Sequence, residues 1–97
     1  MASYKLSNGA ALDIEGILEF GIDTFGLDQA LRYHNGLQAH LSELANFPLH
    51  YPAVEHIRKG YRMSVYGAHS IYYQIQDDYV LIVRIMGRQD ISETFQA

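Results

Sequence analysis

The side chains of this sequence with the most to offer chemically are the cations of its second half, Arg58, Lys59, Arg62, Arg84 and Arg88, and one histidine, His69, that follows the dipeptide Gly67-Ala68. Arg62 and Arg84 stand among apolar, strand-like residues, where a charge loses water and needs compensation. Each is therefore expected either to hold an internal ion pair, with Asp90 or Glu55 as partner, or to face a bound molecule. Placed cations can stabilise a phosphorane. Metal-free RNA cleavage, however, also needs a base for the 2′-hydroxyl and an acid for the leaving oxygen. Lys59, Arg62 and Arg84 are the catalytic candidates for such a reaction, but they supply only the charge, and no acid–base pair stands out after Arg84. The reading leans away from an enzyme. His69 can move a proton or close its turn with a hydrogen bond. His34, His40, His50 and His56 are scattered, without two ligands at i,i+4 beside an acidic cluster, so no metal site and no cofactor are expected.

Charge narrows the class of partner. The 97 residues carry a net charge of −4, and the acidity lies in residues 1–52, with six acids against two bases; residues 53–97 hold five of each. No run of lysine or arginine offers a basic face, which disfavours strong nonspecific nucleic-acid binding. With 48% apolar residues the chain can build one core, and a single domain over 1–97 is expected. There is no cysteine, so packing alone must hold the fold. Residues 1–6 lack the parts of a secretion signal and no apolar run approaches a membrane span, so the expected location is the cytoplasm, with no membrane partner.

The elements that must position these groups are legible from periodicity. Residues 3–6 read as a short strand, and Ser7 can accept the free amides of a helix that begins near Asn8. Ile14, Ile17, Leu18, Ile22 and Phe25 recur at steps of three and four, while Asp13, Glu15 and Glu19 mark a wet side. Phe25-Gly26-Leu27-Asp28 stops that helix and starts another, in which Leu27, Ala30, Leu31, His34, Leu37, Leu41, Leu44 and Ala45 keep the helical spacing as far as Asn46. Pro48 and Pro52 bracket a loop over 47–53. After Gly60 the period becomes two: a strand from Tyr61, a turn at Gly67-Ala68, a strand over 69–76, a turn at Asp77-Asp78 and a strand over 79–86 that is apolar on both faces, as a central strand should be. Residues 90–97 read as a short helix or tail.

Strand, helical hairpin and a three-strand meander imply an α+β fold in which the hairpin covers one face of an antiparallel sheet. If Ile71, Tyr73 and Ile75 face the helices, Ser70, Tyr72 and Gln74 face away, onto a sheet face expected to be open. Tyr61, Tyr66, Tyr72, Tyr73 and Tyr79 crowd the sheet half and can serve either the core or a partner surface.

Several blocks, in order, resemble the ParE toxins of the RelE/ParE toxin–antitoxin superfamily. They are Tyr4-Lys5-Leu6-Ser7; Ala10, Asp13-Ile14 and Ile17; Phe25-Gly26; Ala30, Tyr33 and Leu37; Ile57-Arg58-Lys59-Gly60-Tyr61-Arg62; Gly67-Ala68-His69-Ser70-Ile71-Tyr72-Tyr73; Val80-Leu81-Ile82-Val83-Arg84-Ile85-Met86; and Arg88 with Asp90. The resemblance implies a bacterial toxin neutralised by a ParD-like antitoxin and directed at DNA gyrase. The alternatives it leaves are a ribosome-dependent mRNA endoribonuclease of the RelE kind and an inactive toxin-derived binding module. The last is suggested by the acidic charge and by Ile85-Met86-Gly87-Arg88, where family members commonly carry leucine and histidine. Such toxins receive the antitoxin's helix on the helical hairpin, which points to Ile14, Leu18, Leu37 and Leu41 as antitoxin contacts. Arg58, Arg62, His69, Tyr72, Arg84 and Arg88 are the corresponding expectation for target contacts.

Overall fold

Ser7 fixes where the first strand stops and the first helix starts. In the computed structural model, which describes residues 3–87, strand β1 (Tyr4–Leu6) leads directly into helix α1 (Asn8–Phe25). The Ser7 hydroxyl oxygen accepts the Ala10 amide at 3.0 Å and satisfies one of the orphan donors of the first turn. Its proton goes to the Val83 carbonyl at 2.6 Å, which ties the helix start to the sheet. Gly26 alone separates α1 from helix α2 (Leu27–Asn46); its φ of 92° is open to glycine and strained for other residues. Gly21 permits the close approach of the two helices, because a β-carbon there would lie 3.2 Å from that of Ala30.

A 3₁₀ turn at Pro48–His50 begins the irregular stretch that ends at strand β2 (Arg62–Tyr66); strands β3 (His69–Ile75) and β4 (Val80–Gly87) follow. Gly67, with φ of 56°, opens the two-residue turn between β2 and β3. The sheet order is β1-β4-β3-β2, which makes β4 a central strand as its two apolar faces suggested. The meander is antiparallel, but β1 runs parallel to β4, pairing Tyr4 with Val80 and Leu6 with Ile82. The α+β layer is the expected one, and the sheet is mixed rather than wholly antiparallel. A three-residue strand announces that it pairs, but its period says nothing about direction.

Between β3 and β4 the register shifts: Tyr72 pairs with Arg84 while Tyr73 pairs with Ile82, leaving Val83 as the extra residue of a bulge. This changes the faces. Ile82 and Ile85, three apart and so on opposite sides of a regular strand, both enter the main core. That core lies between hairpin and sheet and unites Ala10, Leu37, Leu41, Leu44, Ala45, Ile71, Tyr73, Val80, Ile82 and Ile85.

The opposite sheet face is not open where it was expected to be. Val54 and Tyr72 form a second cluster there with Met86, against which Ile57, Tyr61 and Met63 pack. The segment 53–61 thus covers Tyr72, which is 1% exposed. Two amides define that segment: Val54 donates to the Tyr61 carbonyl at 2.8 Å and Gly60 to the Glu55 carboxylate at 3.1 Å. No helix among the described residues is long and apolar enough to cross a membrane.

Candidate functional site

One large groove, about 940 Å³, lies where the hairpin meets the C-terminal part of β4 and the β2–β3 turn. Its apolar wall comes from α1: Leu12, Ile17, Phe20 and Phe25. Leu12, Phe20 and Phe25 are 66%, 63% and 57% exposed, and the two phenylalanine rings meet edge to face at 6.4 Å. Large exposed apolar side chains gathered in one concavity are uncommon on a monomer and mark a surface that meets another molecule. The polar wall holds Asp13, Tyr33, His69 and Arg84.

The polar groups are paired among themselves. Arg84 grips Asp13 with two parallel bonds, Nε to Oδ2 at 2.7 Å and an Nη to Oδ1 at 3.0 Å. The same Oδ2 accepts the Ile85 amide at 2.8 Å. β1 ends opposite Ile82, so the carboxylate of Asp13 takes over the edge of β4 where strand pairing stops. Hydrogen bonding to Asp13 raises the guanidinium pKa above its ordinary value, against a smaller opposing effect of burial. Among the described residues Arg84 therefore has its ion pair with Asp13 rather than with Glu55; Asp90, the other expected partner, lies outside the described residues. Asp13, assigned to a wet side by helical spacing, is 15% exposed in its side chain.

Beside this pair, Tyr33 Oη sits 2.7 Å from His69 Nδ1 and 3.0 Å from the Tyr66 carbonyl. Burial raises the Tyr33 phenol and lowers the His69 imidazole, with Asp13 partly countering the shift on His69. At neutral pH the phenol keeps its proton and the imidazole is uncharged. A separate pair, His40 Nε2 with Ser64 Oγ at 2.7 Å, joins α2 to β2, and burial lowers His40 as well.

The expected site residues do not converge. His69 and Arg84 share the groove. Arg62 turns elsewhere, donating to the Tyr51 carbonyl at 2.6 Å, while Glu55, one of the two carboxylates expected to pair with it, accepts the Gly60 amide. Arg58 and Lys59 are exposed on the segment 53–61, Tyr72 is buried beneath that segment, and Arg88 lies outside the described residues. Of the expected antitoxin contacts, Ile14 and Leu18 are half-buried on α1, whereas Leu37 and Leu41 are core residues, 1% and 0% exposed, facing the sheet. Their helical stripe is real, but it is turned inward. On the hairpin the exposed large apolar side chains are instead Leu12, Phe20, Ile22 and Phe25 of α1, together with Leu27 and Leu31 of α2. Sequence reasoning missed Asp13 and Tyr33. The available signal was Arg84 itself, a strand cation in need of a carboxylate. Among the described residues, no three His, Asp or Glu side chains gather as metal ligands would.

Residues 4–91 match the family model described as the ParE toxin of the type II toxin–antitoxin system, parDE. The chain belongs to the ParE toxin family. Relatives include Toxin ParE1 of Caulobacter vibrioides, 32% identical over 75 residues that cover 77% of this chain and 78% of that one. Toxin ParE1 of Mycobacterium tuberculosis is 32% identical over 84 residues, covering 86% of each. Among solved structures, a chain of the chromosomal ParDE TA system from P. aeruginosa superposes with a TM-score of 0.76 at 19% identity, covering 90% of this chain and 96% of that one. That likeness concerns the fold: a ParE hairpin on a four-stranded mixed sheet. In this ParE-family chain the groove has a wall carrying two phenylalanines on α1 and a paired polar wall on the sheet side.

Proposed function

We propose that this ParE-family toxin acts by binding DNA gyrase, without a catalytic step of its own, and that a ParD-like antitoxin silences it by laying an apolar helix or strand into the groove between α1 and β4. The observation that carries the non-catalytic reading is the engagement of both strand arginines. Arg84 is neutralised by Asp13 in a bidentate pair, and Arg62 is held by the Tyr51 carbonyl. RNA cleavage would need such cations free beside an acid–base pair, and Lys59 stands apart from both on an exposed segment. The groove supports the antitoxin half of the reading. Its exposed phenylalanines match the anchor chemistry that an amphipathic partner segment seeks. Arg58, exposed and outside the groove, remains a candidate for target contact.

Purified toxin in stoichiometric excess over gyrase is expected to depress supercoiling or to raise cleavage complexes, and added antitoxin is expected to reverse the effect. Unchanged gyrase together with cut transcripts in a translating extract would establish the ribonuclease alternative instead. Harmless induced expression without antitoxin would identify an inactive binding module.

A further inference from the structure

Among the described residues, His69 in the polar wall of the groove is hydrogen-bonded through one ring nitrogen only. Tyr33 Oη contacts both the Tyr66 carbonyl and His69 Nδ1, at 3.0 and 2.7 Å. A carbonyl only accepts, and a phenol has a single proton. Both contacts are satisfied when Tyr33 donates to the Tyr66 carbonyl and His69 Nδ1–H donates to Tyr33 Oη. In that arrangement the imidazole proton is on Nδ1 and the lone pair on Nε2. Nε2 has no hydrogen-bond partner among the described residues, and no unpaired side-chain nitrogen or oxygen is sealed from solvent. His69 also lines the groove. A neutral acceptor therefore belongs to a side chain that lines the same groove as Leu12, Ile17, Phe20 and Phe25.

We propose that His69 Nε2 is a specificity-determining acceptor of the groove, receiving one hydrogen-bond donor from the apolar partner segment that docks there, so that partner binding requires the uncharged imidazole. The inference rests on the reading that the antitoxin occupies this groove. The charged and titratable groups facing His69 are Asp13 from α1, Tyr33 from α2 and Arg84 from β4; the β2 contribution is the Tyr66 phenol, whose ring, like that of His69, packs against Tyr33. Asp13 is held in its ion pair with Arg84 and only partly offsets the effect of burial on His69, and burial keeps the Tyr33 phenol protonated, which leaves His69 as the group whose charge changes in mild acid. Protonation leaves the Nδ1–H to Tyr33 bond intact and converts Nε2 from acceptor to donor. Recognition is thereby switched while the internal bond persists. Burial lowers the pKa of His69 in the free toxin, and binding to the neutral form would lower it further, so affinity is full at neutral pH and falls as pH descends below the ordinary histidine range.

Two measurements test this. Long-range nitrogen–proton NMR of the free toxin is expected to show His69 as the Nδ1–H tautomer; an Nε2–H tautomer would overturn the assignment. The dissociation constant for the cognate ParD-like antitoxin is expected to rise about tenfold from about pH 7.5 to about pH 5. In His69→Gln, which carries no titrating ring, that rise should be absent. Equal pH slopes in wild type and His69→Gln would overturn the proposal. Phe20→Asp separates the two layers of the argument. If it abolishes antitoxin binding while the slopes are equal, the groove is occupied and His69 is not read. If binding survives Phe20→Asp undiminished, the groove reading fails and takes the His69 proposal with it.

Discussion

At the scale of single residues, the organising fact is that polar side chains between helix and sheet spend their hydrogen bonds inside the fold. Asp13 serves three donors at once, two from Arg84 and the amide of Ile85. Charge-assisted bonds of this kind contribute more than neutral ones, and removing one partner leaves the other poorly compensated. Asp13→Asn keeps the shape and removes the charge. It is expected to cost about 1–3 kcal/mol in urea unfolding, and Arg84→Gln should then add less on top of it than it does alone. Additive losses would mean that the pair is solvated enough to contribute nothing. The need of Arg84 for a carboxylate was legible in the sequence, whereas its identity was not, because Asp13 lies 71 positions away on a helix. Spacing placed Asp13 on the solvent side because it cannot see a strand edge that ends two residues short of Arg84. His40 and His69 make a second residue-level case. Both have folded pKa values lowered from 6.5, chiefly by burial. Their contribution to stability is therefore fully present above that unfolded value and is lost as pH falls through the folded values. The urea midpoint is expected to decline from neutral pH toward about pH 5, above the range where carboxylates protonate, and to decline less in a His40→Gln, His69→Gln double variant.

At the scale of elements, helix spacing reveals a stripe without revealing what covers it. Leu37 and Leu41 of α2 and Phe25 of α1 all keep the helical spacing, yet the first two are sealed against β3 and β4 while Phe25 is 57% exposed, beside Phe20 at 63%. This gives a direct dissection. Leu41→Ala should lower stability by about 2–5 kcal/mol, as large-to-small core substitutions do. Phe20→Asp should leave the urea midpoint nearly unchanged and impair antitoxin binding. The reverse pattern would contradict the faces assigned to the two helices. The same logic explains what the sequence disclosed about the sheet. Strand existence, the glycine-first turn at Gly67 and the alternation of Ile71, Tyr72 and Tyr73 follow from a period of two and from φ preferences, all local properties. The bulge at Val83 and the parallel pairing of β1 depend on chain segments far apart, and a single inserted residue leaves no compositional trace. The covering of Tyr72 by residues 53–61 was missed for a related reason. Val54 and Ile57 carry no periodic signal, and only the tertiary path of the segment brings them over the sheet.

At the scale of the whole molecule, the distribution of charge separates protein recognition from nucleic-acid recognition. The net charge is −4, the acids of α1 and α2 crowd the hairpin, and the groove's own charges, Asp13 and Arg84, cancel in an ion pair. A surface of this kind releases few counterions on meeting a duplex, and the salt dependence of nonspecific binding scales with the number of phosphates neutralised. Exposed Arg58 and Lys59 provide a local spot of positive charge too small to track a backbone. Nonspecific duplex DNA is therefore expected to show no saturable binding to the isolated toxin by fluorescence anisotropy at about 150 mM salt, with a shallow salt slope below it. If the toxin acts on gyrase as proposed, through contact with protein, the inhibition should persist over the salt range in which gyrase itself works. Tight DNA binding with a steep salt slope, or inhibition that disappears in step with DNA binding, would place the toxin's action on the nucleic acid and remove the protein-directed reading.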